Sequence, residues 1–96
     1  MREQFPRTDE AAKAAFLLGR MAEASGAADD AVRSYASAMS ESPNGAFAQD
    51  ALGRTMDLEQ RRGRSERARA LANEYLSKYP SGPYRAYAAS VLDAHP

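Results

Sequence analysis

A Leu-Gly pair stands at Leu18-Gly19 and stands again 34 positions later at Leu52-Gly53. An interval of this size fits a helix–turn–helix repeat, in which each unit leaves an apolar face for its neighbour to cover. Ala15, Ala31, Tyr35, Ala38 and Pro43 surround the first pair, placed where such a unit needs small, aromatic and helix-ending residues. The interval therefore constrains the fold more than any other feature.

The rest of the chain points the same way. Alanine, the best helix former and small enough to let helices approach closely, recurs throughout. The β-branched residues are only Thr8, Val32, Thr55 and Val91, and no stretch alternates apolar and polar residues over a strand's length. At 96 residues the chain is one domain at most, with a modest core, which suits local helix-on-helix packing.

Five helices are expected. Thr8 or Asp9 caps the first, which runs to about Ala24 and ends at Ser25-Gly26. Asp29 caps the second, whose apolar stripe is Ala31, Val32, Tyr35, Ala38 and Met39; Ser42-Pro43-Asn44-Gly45 stops it. The third covers about Ala46 to Arg62, burying Phe47 or Ala48 with Ala51, Leu52, Thr55 and Met56, and Gly63 breaks it. Ser65 and Glu66 open the fourth, with the stripe Ala68, Leu71, Ala72, Tyr75 and Leu76. After Pro80-Ser81-Gly82-Pro83, the fifth runs from Tyr84 to about Ala94. Short turns between similar helices favour antiparallel neighbours.

In these residues the chain resembles the tetratricopeptide repeat family. Leu18, Gly19, Ala31, Tyr35, Ala38 and Pro43 match its repeat, while Ala15 and Ala22 depart from its bulky and aromatic positions. The resemblance implies an all-α, right-handed superhelix of antiparallel helix pairs. A tail, 1–7, precedes a single domain, 8–96, with repeats at about 12–45 and 46–82 and a terminal half-repeat at 83–95. The second repeat closes at Pro80, 37 positions after Pro43, with its aromatic displaced to Tyr75. The link Tyr79-Pro80-Ser81-Gly82-Pro83-Tyr84 resembles that of bacterial envelope modules of the family, which implies a periplasmic setting, with the cytoplasm as the alternative. The start inside a charged stretch suggests a piece of a larger protein.

Carried onto this sequence, the family's groove positions are Lys13, Phe16, Arg20 and Glu23 from the first repeat. Phe47, Asp50, Arg54 and Asp57 follow from the second, and Tyr84, Tyr87 and Val91 from the last helix. Aromatics give area and charges give register, so the surface suits a peptide or protein partner. The competing reading has Tyr84, Tyr87, Phe47 and, less strongly, Phe16 packing between helices. A homodimer is the alternative function, through Tyr84, Tyr87, Val91 and Leu92 on the last helix.

Other chemistries find little footing. The 13 basic and 13 acidic residues balance; up to Gly45 there are 5 basic and 7 acidic, and after it 8 and 6. No field of one sign draws in a polyanion. Arg54, Arg61, Arg62, Arg64, Arg67 and Arg69 can contact phosphate, but Asp57, Glu59 and Glu66 lie among them and aromatic stacking residues do not, so a solvated turn with local ion pairs is the better account. Without cysteine there are no disulfides, thiolate chemistry or Cys-based metal sites. His95, penultimate, has no nucleophile or metal-ligand partner near it in sequence, and Asp29-Asp30 suits a helix start better than a metal. No enzyme activity, cofactor or metal is expected, and no apolar run approaches the roughly 20 residues of a membrane span.

Overall fold

The computed structural model describes residues 9–93. Among them every regular element is a helix: α1 (Asp9–Ala24), α2 (Ala28–Glu41), α3 (Ala46–Arg61), α4 (Ser65–Lys78) and α5 (Arg85–Asp93). The chain divides into two compact units, the first ending at Ala51 and the second beginning at Leu52, so the division falls inside α3.

In the first unit α1 packs on α2. Ser42 Oγ, at the end of α2, donates to Asp9 Oδ1 at the start of α1, 2.6 Å away. Tyr35 Oη, in mid-α2, donates to Glu23 Oε1 near the end of α1, also at 2.6 Å. The two helices are thus antiparallel. Their shared core is Ala12, Phe16, Ala31, Tyr35 and Ala38. Gly19 is buried among them, and a Cβ there would lie 2.5 Å from the Tyr35 ring, so the position takes glycine.

The second unit holds the rest of α3 with α4 and α5, and α4 packs on α5. Its core is Leu52, Met56, Leu58, Ala68, Leu71, Ala72, Tyr75, Ala88 and Val91. Contacts from α3 to the start of α5 run in ascending order on both, Gly53 to Tyr84 and Asp57 to Tyr87, so these helices are parallel.

The helices repeat at 37 residues, not at 34. Adding 37 converts the bounds of α1 into those of α3 and the bounds of α2 into those of α4. The turns repeat as well. Gly26 and Gly63 have φ of 84° and 80°, the left-handed region in which glycine alone is unstrained. Each is followed by a backbone bond five residues back, Ala27 N–H to the Ala22 carbonyl at 2.8 Å and Arg64 N–H to the Glu59 carbonyl at 3.0 Å, the Schellman closure of a helix end. Ala27 and Arg64 then open α2 and α4 with nearly the same backbone, φ/ψ −89°/74° and −86°/74°.

The two Leu-Gly pairs are therefore not equivalent. In the 37-residue register Phe16 becomes Gly53 and Gly19 becomes Met56; Tyr35 becomes Ala72 and Ala38 becomes Tyr75. Ring or long side chain and small residue exchange places about one helical turn apart on both helices of the hairpin. All eight are buried. Such an exchange keeps the filled volume, which close-packed interiors tolerate better than a change of size.

Smaller expectations are adjusted. Neither Ala27 nor Arg64 makes a side-chain cap bond, so Asp29 does not cap α2; it lies with Asp30 in the first turn, where negative charge still favours the helix dipole. The third helix ends at Arg61 and the fifth starts after Tyr84. Val32, Met39 and Leu76 are half-buried at the edges of their stripes, and Ala48 takes the interior place rather than Phe47. Thr8, Ala94 and His95 lie outside the described residues.

Candidate functional site

Phe16 is held inside the first unit. It is 7 % exposed, with its ring centroid 5.6 Å from those of both Tyr35 and Phe47. Tilted aromatic pairs at this separation contribute about 0.5–1.5 kcal/mol beyond area burial. Phe16 therefore supports the face, and Phe47, half-buried at the start of α3, carries the apolar area that solvent can reach. Lys13 and Arg20 are exposed on α1, two turns apart, and Asp50 is half-buried one turn beyond Phe47. Glu23 is half-buried and receives the Tyr35 hydroxyl.

Tyr84 organises the second unit. Its ring lies so close over Gly53 that any side chain at 53 would overlap it. Tyr75 fixes the approach: its Oη accepts the Tyr84 backbone N–H at 3.0 Å, and the two rings meet edge to face at 5.8 Å. The amide that α5 would otherwise leave unpaired at its start is satisfied by a side chain from α4. In the 37-residue register Gly53 takes the place of Phe16 and Tyr84 that of Phe47, so the space left by the missing ring at 53 is filled by Tyr84, just ahead of α5.

One turn on, Tyr87 Oη donates to Asp57 Oδ1 at 2.9 Å, and Arg61 Nε donates to Asp57 Oδ2 at 3.1 Å. Burial first, and then the Asp57 carboxylate, push the Tyr87 hydroxyl from an ordinary 10.0 up to about 12. Asp57 and Tyr87 are thus engaged with each other, whereas Arg54 and Tyr84 are half-exposed beside them. Val91 is 1 % exposed and belongs to the interior of the unit; of the four residues expected on a dimer face, Tyr84, Tyr87 and Leu92 are half-buried.

The arginine-rich turn converges on Glu59, which lies in the interior at 2 % exposure. Arg62 Nη1 donates to its Oε1 at 3.2 Å, and Arg64 Nη1 and Arg67 Nε stand 3.8 Å from its Oε2. A carboxylate withdrawn from water needs such partners. Sequence reasoning placed Glu59 only as a diluting charge among arginines. Its signal is positional: in the 37-residue register Glu59 replaces Ala22, a place half-buried in α1.

Among the described residues no group of three His, Asp or Glu side chains could hold a metal, and no helix is long and apolar enough to cross a membrane. Comparison of the chain with protein-family models, with curated proteins and with solved structures finds no match.

Proposed function

We propose that this chain is a non-catalytic protein–protein interaction module of the tetratricopeptide type, a right-handed stack of antiparallel helix pairs that takes a peptide or protein on its concave face. The 37-residue recurrence of one helical hairpin, with the same glycine turn each time, carries this reading. A repeated hairpin builds a surface from successive first helices, and such surfaces serve recognition rather than bond chemistry.

The engaged residues narrow the earlier groove. Phe16, Asp57 and Tyr87 are spent on internal contacts and hold the surface in shape. Lys13 and Arg20 are exposed and Phe47 and Asp50 half-buried in the first unit, and in the second Arg54 and Tyr84 are half-exposed; these accessible sides are the ones offered to a partner. Half-exposed aromatics supply contact area, and flanking charges of both signs select register. A bacterial envelope setting within a larger protein rests on the Tyr79-to-Tyr84 link.

Selection from a displayed random-peptide library against the immobilised chain tests this directly. The enriched peptide, titrated into ¹⁵N-labelled protein, is expected to shift the amides around Lys13, Arg20, Phe47 and Arg54. Lys13→Glu and Arg54→Ala should weaken it. A library that yields no binder, or shifts confined to α2 and α4, would remove this surface from the account.

A further inference from the structure

The large apolar side chains most exposed among the described residues sit together on α1: Leu17 at 48 %, Leu18 at 57 % and Met21 at 67 %. With Ala14 they form one stripe on the side of α1 turned away from Phe16 and Gly19. Helix α3 shows how the same face is treated elsewhere. In the 37-residue register Ala14, Leu18 and Met21 become Ala51, Thr55 and Leu58, which are 0 %, 2 % and 4 % exposed. These positions, covered on α3, are bare on α1, where Leu18 stands in place of Thr55; Leu17 stands in place of the half-buried Arg54.

We infer that this face is covered by α1 of a second copy, the two helices running antiparallel about a two-fold axis. No other large hydrophobic side chain is exposed among the described residues, so a copy of this chain offers only the same stripe in return, and a two-fold pairing matches one patch with itself. The charges agree. Glu10 lies on the stripe and Arg20 at its edge, ten residues or about 15 Å apart along the helix. An antiparallel partner centred midway brings each Glu10 to the other copy's Arg20, giving two reciprocal pairs. Ala14 and Leu17 lie on either side of that midpoint, so the leucine of one copy falls within one residue, about 1.5 Å, of the other copy's alanine. Opposed helix dipoles add to the fit. The contact is one helix wide, well under the ~800 Å² per partner of standard interfaces, so the dimer belongs to the weak, concentration-dependent class.

Sedimentation velocity on the chain alone, from micromolar to millimolar concentration, should show a monomer giving way to a dimer. Met21→Glu and Leu18→Glu place charge in an exposed stripe, should keep the helical circular dichroism, and should weaken dimerisation by about tenfold or more. Glu10→Arg and Arg20→Glu each break both pairs and should weaken it by about tenfold, and the combined E10R/R20E variant should recover wild-type association. A wild-type monomer throughout, a dimer indifferent to Met21→Glu, or a double variant no tighter than its parents would each overturn the inference.

Discussion

Gly19 and Gly53 look alike in sequence and differ in what closes over them. Tyr35, over Gly19, is fully buried and hydrogen-bonded to Glu23, whereas Tyr84, over Gly53, is half-exposed. Alanine in place of glycine gains about 1 kcal/mol of helix propensity, while forcing a methyl into a filled space costs about 1–3 kcal/mol. Gly19→Ala is therefore expected to destabilise by up to about 2 kcal/mol, since its ring has nowhere to go. Gly53→Ala should cost less, and Tyr84→Ala should relieve it; urea unfolding of the two singles and the double gives the coupling directly. Tyr87 supplies a pH signature. An acid whose folded-state pKa is raised keeps its proton longer when folded, so its contribution is full below pH 10 and is lost as pH climbs toward 12. Wild-type stability should fall across that interval more steeply than that of Tyr87→Phe. Tyrosinate absorbance should show one late phase that the substitution removes.

At the scale of elements, the helices were legible because alanine-rich stripes alternate with Gly and Pro stops, and their bounds fall within a residue or two of expectation. The partners of each stripe were not. The displaced aromatic at Tyr75 gave no hint that Tyr84 would cover Gly53, because the compensation comes from the turn before α5, 31 positions on. Nor did the arginine-rich turn reveal its centre, since a glutamate among arginines resembles any solvated charge. That turn makes its own prediction. Glu59→Gln removes the carboxylate that three guanidinium groups share and should cost about 1–2 kcal/mol, the arginines' own exposure limiting the loss. Arg69→Gln, at an exposed position, should stay within about 0.5 kcal/mol of wild type by the same thermal or urea measurement.

Across the whole molecule, the period that suggested a repeat is not the one at which the helical hairpins recur. The Leu-Gly pairs lie 34 apart, while the hairpins recur at 37, the spacing already present between Pro43 and Pro80. Punctuating residues fix where helices end, and so they kept the true period. Core residues can trade large for small between helices, and so Gly and Tyr drifted out of register. The candidate residues were legible only in part for the same reason: the resemblance marks positions on a helix, and the engagement of Phe16, Asp57 and Tyr87 depends on this chain's own substitutions. The central claim is that each glycine lies under a ring drawn from a different place in the repeat. Nuclear Overhauser contacts of the two glycine Hα pairs test it most directly. Gly19 should show contacts to the Tyr35 ring and Gly53 to the Tyr84 ring, both with upfield ring-current shifts. A Gly53 with ordinary shifts and no contact to Tyr84 would contradict the 37-residue register and the exchange of ring and small residue built on it.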